Sequence, residues 1–277
     1  WRRLGRPRLR ARAHGNLPNQ HGKYLGKDEV SSGLSTYLLC QRGKIKLCPQ
    51  PLSPCTLAGF DFVILDMEHG PLSIESIQNL LNAAQSHGLQ VVDRIRENSP
   101  SNILQILDIG VQSIQVPQIN NVLDAQKVVN SSYYYPKGDR GMCRYVRSAS
   151  YSKLNKNKYF DSANSEILTI VHIEGIDGIN NLKEIMAIDD IDVIFLGPYD
   201  LSQSCGFPGQ INHPDVINKM KESVKLAKDC NKIIGTFCEN PEDVQIWSDI
   251  GVQYIAYSVD VGIILDAYTN IINKLKL

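Results

Sequence analysis

The sequence has no surplus of charge. Its 29 Lys and Arg balance 29 Asp and Glu, and its pI is near 7.1. Without a field of one sign, neither nucleic acid nor an anionic membrane is expected as a partner. Long apolar runs are missing too. None approaches the roughly 18–20 residues of a membrane helix, so no membrane span is expected. No C-x-x-C pair occurs among the seven cysteines, which are odd in number and irregularly spaced. They read as reduced thiols of a cytoplasmic protein. Cys40, Cys48 and Cys55 with His14 and His21 have no zinc-site spacing. Finally, no glycine-rich phosphate turn follows any early strand, which argues against an open dinucleotide-binding sheet.

What is present divides at about residue 33. Residues 1–32 begin with Arg2, Arg3, Arg6, Arg8, Arg10 and Arg12, with no acid among the first thirteen residues and no apolar period. They are expected to be a basic, disordered leader; a basic arm or an organelle transit peptide is the functional alternative. Residues 33–277 are expected to form one domain. Gly33–Cys40 reads as a first strand, but Gly43, Pro49, Pro51 and Pro54 punctuate the segment where a helix should follow.

From Asp61 onward the chain alternates regularly. Phe62–Leu65 is a short apolar run, read as a strand buried on both faces. Ser73 is placed to cap a helix carrying Ile77, Leu80, Leu81 and Ala84, and Gly88 ends it. Further strands are expected at 89–94, 113–117, 167–174, 193–197, 232–237 and 253–258, with helices between them. Residues 131–164 and 199–213 read as long polar loops. Eight βα units in about 245 residues is the size and grammar of a (β/α)8 TIM barrel.

Three strands end in acids or histidine, where parallel α/β proteins bind ligands. The first runs into Asp66-Met67-Glu68-His69-Gly70-Pro71, the second into His172-Ile173-Glu174, and the third into Gly197-Pro198-Tyr199-Asp200. Glu174 and Asp200, at neighbouring strand ends, suit a hard divalent cation, Mg²⁺ or Mn²⁺, rather than zinc. His69 is the candidate base, with Asp66 three residues before it and Asp108 on the next segment as possible carboxylate partners. Arg94 ends its strand. It is placed either to hold a substrate carboxylate or enolate oxygen, or to pair with Asp66, Glu68 or Asp93.

Together with Leu107-Asp108-Ile109-Gly110 and Gly138-Asp139-Arg140-Gly141, these segments resemble the HpcH/HpaI aldolase family from about Gly59 to the C-terminus. The resemblance implies a barrel of the phosphoenolpyruvate/pyruvate-binding type and a homo-oligomer, often a hexamer with exchanged last helices. The implied activity is metal-dependent cleavage of a 4-hydroxy-2-oxo acid to pyruvate and an aldehyde, so the partner is a small 2-oxo acid. It further implies metal ligands at Glu174 and Asp200, with Mg²⁺, Mn²⁺ or Co²⁺ as the cation, and a catalytic base at His69 whose basicity Asp108 raises. A transition-state arginine at Arg94 and substrate contacts at His172, Tyr199 and Asp200 complete the implied set. Some members carry Gln where this chain has His172. Two other readings are carried beside it: a citrate-lyase-type acyl-CoA lyase on the same barrel, and a non-catalytic paralogue that binds a small acid.

Overall fold

A computed structural model of the chain describes residues 35–40, 52–153 and 155–275. The expected leader, residues 1–32, lies outside the described residues, and with it His14 and His21; Cys48 lies outside them too. The architecture is α/β, a curled parallel sheet with helices on its outer side. The strands are β1 (Ser35–Cys40), β2 (Phe62–Asp66), β3 (Gln90–Arg94), β4 (Ser113–Val116), β5 (Leu168–Ile173), β6 (Val193–Leu196), β7 (Ile233–Cys238) and β8 (Tyr254–Val259). They pair in chain order, every pair parallel, and β1 pairs with both β2 and β8, so the sheet closes.

The helices are α1 (Leu52–Ala58), α2 (Ile74–Ser86), α3 (Pro100–Asp108), α4 (Val122–Ser132), α5 (Lys156–Glu166), α6 (Ile176–Asn180), α7 (Leu182–Met186), α8 (Pro198–Ser204), α9 (Pro214–Asp229), α10 (Pro241–Ile250) and α11 (Asp260–Leu275). Their starts follow local chemistry. Ser73, Ser99, Asn121 and Asn240 each accept a backbone N–H of the first turn, and Pro100 and Pro241 occupy first-turn positions that need no donor. Helix α1 forms despite Pro54, which sits in the first turn of a seven-residue helix, where its missing N–H costs nothing.

Two stretches expected as loops contain helices. Residues 131–164 hold α5 and a 3-10 turn at Arg147–Ser152. Helix α5 has no apolar stripe to betray it. It is held by Tyr159, which packs with Tyr134 and Ala149 in a small satellite core. The stretch from Tyr199 begins inside α8, where Pro198 starts the helix and buried Leu201 anchors it.

Period-two alternation sorts the strand side chains into two layers. Val63, Leu65, Val91 and Ile114 face the helices, in the larger core. Phe62, Ile64, Val92, Leu168, Ile170, Val193, Phe195, Tyr254 and Ala256 fill the inside of the sheet. Each such large apolar side chain taken out of water contributes roughly 1.5–3 kcal/mol. The inner rows change character as they rise toward the carboxyl ends of the strands. Phe62 and Ile64 are followed by Asp66, Val92 by Arg94, Ser113 by Gln115, and Leu168 and Ile170 by His172. The apolar plug therefore ends in a buried polar floor.

Candidate functional site

That floor is organised by one ion pair. Arg94 Nε donates to Asp66 Oδ1 at 2.8 Å and Arg94 Nη2 to Asp66 Oδ2 at 2.7 Å, between register partners on adjacent strands. Asp66 is wholly buried, and its Oδ1 also accepts the backbone N–H groups of Glu68, at 3.0 Å, and of His69, at 3.4 Å. One carboxylate thus fixes both the guanidinium and the turn that carries the next two candidates. The remaining nitrogen, Arg94 Nη1, lies 3.4 Å from Glu68 Oε2. Of the pairings the sequence left open for Arg94, Asp66 and Glu68 are realised and Asp93 is not. Asp93, next to Arg94, points to the outer layer.

A second network crosses the floor. Tyr254 donates its hydroxyl to Gln115 Oε1 at 3.0 Å, which turns the Gln115 amide nitrogen toward His172 Nε2. His172 Nε2 is then the acceptor, and its Nδ1–H donates to Glu174 Oε1 at 2.8 Å. Glu174 Oε2 accepts the backbone N–H of Gln118 at 3.0 Å. His172 is fully buried and stacks on Phe195 at 4.4 Å. Burial pushes its pKa down, against the upward pull of Glu174, so the ring is the neutral Nδ1–H tautomer. For Glu174 burial favours the neutral acid, yet the carboxyl stays below its usual range because His172, the Gln118 amide and Arg94 all favour the anion.

Glu68 behaves oppositely. Burial first, then the negative charges of Glu174, Asp66 and Asp200, push it up to about 7 in spite of Arg94. Gly197 leaves room for Glu174. A Cβ there would lie 2.7 Å from Glu174 Cγ and 3.1 Å from its Oε1. With φ at −86°, this glycine answers a close approach and not a turn.

The structure brings some of the sequence-derived candidates together and leaves others apart. Asp66, Arg94, His172 and Glu174 share the floor. Asp200 lies in the first turn of α8, exposed, with its charge acting on Glu68. His69 stands at the rim, its side chain 61% exposed and its Nε2 4.0 Å from Glu68 Oε2. Tyr199 is also at the rim, donating its hydroxyl to Glu239 at the end of β7. Among the described residues Asp108 makes no contact with His69. Helix α3 returns from the carboxyl end of β3 to the start of β4, so its last residue points to the opposite face, where Asp108 accepts from Arg140 Nη2 at 2.8 Å.

Sequence reasoning passed over Gln115, Tyr254 and Glu239. Gln115 had a signal, a polar residue at an inward position of a four-residue strand. Tyr254 reads as a core aromatic, and only the fold shows its hydroxyl at Gln115.

A family model for HpcH/HpaI aldolase/citrate lyase matches residues 48–267. The chain belongs to the HpcH/HpaI aldolase/citrate lyase family. Among relatives of this family, a hydroxypyruvate/pyruvate aldolase of Roseobacter denitrificans is 31% identical over 79% of this chain and 85% of its own. A 2-keto-3-deoxy-L-rhamnonate aldolase of Escherichia coli is 32% identical over 76% of this chain and 78% of its own. An HpcH/HpaI family protein from Burkholderia cenocepacia superposes with a TM-score of 0.85 at 25% identity, over 91% of this chain and 98% of that one. The citrate lyase β subunit of M. tuberculosis, complexed with oxaloacetate and magnesium, shares the fold at a TM-score of 0.53 and 15% identity over 83% of this chain and 93% of that one. No described helix is long and apolar enough to cross a membrane.

The resemblance implies a divalent cation, and the residues present fit one. The donors are carboxylate oxygens, which suit a hard ion. Glu68, His172 and Glu174 offer ligand atoms within 4.8 Å of one another. Glu68 Oε2 is buried and accepts no hydrogen bond among the described residues.

Proposed function

We propose that this protein is a metal-dependent pyruvate aldolase, a carbon–carbon lyase that reversibly cleaves a 4-hydroxy-2-oxo acid to pyruvate and an aldehyde. The observation that carries this reading is the buried floor, where His172 Nδ1 is bonded to Glu174 Oε1 beside the Asp66–Arg94 pair. Family membership and the aldolase names of both relatives support it. The fold is read as a (β/α)8 barrel of the phosphoenolpyruvate/pyruvate-binding type, formed by one domain from about residue 33 onward.

In this reading Glu174 and Asp200 hold the cation, with Mg²⁺ the expected ion and Mn²⁺ or Co²⁺ able to replace it. Bound there, the ion would supply Lewis acidity to the 2-oxo acid. The chain's own residues do the rest. Arg94, fixed by Asp66, presents Nη1 to negative charge developing on the substrate oxygen. His69, exposed at the rim, takes the proton of the 4-hydroxyl as the C3–C4 bond breaks. His172 keeps Glu174 ionised and oriented, and Tyr199 and Asp200 line the entrance.

A homo-oligomer is supported by α11, where Leu265, Tyr268, Ile271, Ile272 and Leu275 are exposed. The cytoplasm is the proposed compartment.

The test is a screen of 4-hydroxy-2-oxo acids for pyruvate release, with and without Mg²⁺, Mn²⁺ or Co²⁺. Release from a free acid, lost on exhaustive chelation and restored by the cation, is expected. Full activity after chelation, or a requirement for a CoA thioester, would overturn the reading.

A further inference from the structure

We propose that Glu68 is a third carboxylate ligand of the divalent cation, beside Glu174 and Asp200. The inference rests on the metal-dependent reading above and adds a residue to it.

Four observations carry it. The Glu68 side chain is only 9% exposed, yet its Oε2 accepts no hydrogen bond among the described residues. A buried carboxylate oxygen without a donor is costly unless something else neutralises it. Arg94 does so incompletely, because its Nε and Nη2 are committed to Asp66 and its Nη1 stops 3.4 Å short of Glu68 Oε2.

Second, the side chain reaches the right place, since one carboxylate oxygen of Glu68 and one ligand atom each of His172 and Glu174 lie within 4.8 Å of one another. Third, His172 is not available as a ligand. Its Nε2 faces the Gln115 amide and its Nδ1–H is spent on Glu174. The cluster therefore reduces to two carboxylates, Glu68 and Glu174, with His172 aligning the second.

Fourth, the local charge is unbalanced. Among the described residues, Asp66 and Glu68 lie against one guanidinium, that of Arg94, and Glu174 lies beside Glu68. A divalent cation between Glu68 and Glu174 supplies the missing positive charge, and the oxygen donors favour Mg²⁺ or Mn²⁺ over a softer ion. Pairing with His69 is the rival use of Glu68, but that contact is 4.0 Å to a ring that is mostly in solvent.

The experiment is a Mn²⁺ titration of the metal-stripped full chain, with free Mn²⁺ read by electron paramagnetic resonance and no substrate present. Glu68→Gln removes the charge; Glu68→Asp keeps it and withdraws the reach. Both should weaken Mn²⁺ binding, by about 10-fold or more, with the circular dichroism spectrum unchanged. Glu174→Gln serves as the reference loss. Wild-type affinity in both Glu68 variants overturns the inference while leaving the aldolase reading intact. Weakening in Glu68→Gln alone also overturns it, since a field effect and not ligation would then explain the loss. A wild-type chain that takes up no Mn²⁺ fails both.

Discussion

Gly197 and Glu174 touch more closely than any other side chain at position 197 would permit. A Cβ at 197 would stand 2.7 Å from Glu174 Cγ. Gly197→Ala should therefore push the Glu174 carboxylate aside without disturbing a helix or strand interior. Metal content of the purified variant, measured by elemental analysis, should fall, while its thermal midpoint stays within a few degrees of wild type. A variant that retains full metal occupancy would mean that Glu174 tolerates the displacement or does not hold the ion.

Asp66 and Arg94 form the anchor beneath the site, and breaking one side leaves the other charged and buried. Asp66→Asn should destabilise the fold by roughly 3–5 kcal/mol, the usual cost of an orphaned buried ion. It should also slow turnover, because the guanidinium loses its orientation. Chemical denaturation gives the first number and steady-state kinetics the second. Arg94→Lys should not rescue the pair, since an ammonium cannot make the two parallel contacts.

The outer layer holds a different acid. Asp93 is fully buried and neither of its carboxylate oxygens has a partner among the described residues. Burial first, and then the charge of Asp66, pushes its pKa well above the ordinary 3.8. The sign follows from linkage. The folded chain keeps the proton that the unfolded chain loses near pH 4, so stability from this group falls as pH rises above that value. Asp93→Val suits the neighbouring Leu65 and Ile114 and removes the loss. Its thermal midpoint should exceed that of wild type at pH 7.5, by the equivalent of about 1–3 kcal/mol, and the gain should shrink as pH falls toward 4. A gain independent of pH would assign the effect to packing alone.

Much of the site was legible in the sequence because strand periodicity carries it. Asp66, Arg94, His172 and Glu174 each follow an apolar run in phase with its inward residues, so both their place and their burial could be read. Asp108 could not be placed this way, since its helix reverses the chain direction and sends it to the far face, beside Arg140. Helix α5 was also hidden. Lys-Asn-Lys-Tyr-Phe-Asp-Ser-Ala-Asn-Ser-Glu carries no amphipathic period, and its anchoring partner Tyr134 lies over twenty residues earlier. Glu68 was visible as an acid, but only the fold shows that its Oε2 lacks a donor among the described residues.

His69 offers the sharpest division between a catalytic and a structural role. Its ring is mostly exposed, and the one ion pair it makes among the described residues, with Glu68, is 4.0 Å long, so the fold loses little without it. If it carries the proton, His69→Ala should lower kcat by about 10²- to 10⁴-fold, the ordinary worth of acid–base catalysis. The thermal midpoint should hardly move, and so should Mn²⁺ affinity. Arg94→Ala should behave differently, losing turnover together with 2-oxo acid binding and stability, since its guanidinium serves both the substrate and Asp66. Turnover, thermal midpoint and Mn²⁺ affinity are therefore to be measured on the same preparations. A His69→Ala protein that turns over nearly as fast as wild type would end the assignment of His69 as the base and turn attention to Glu68, the nearest carboxylate to that ring.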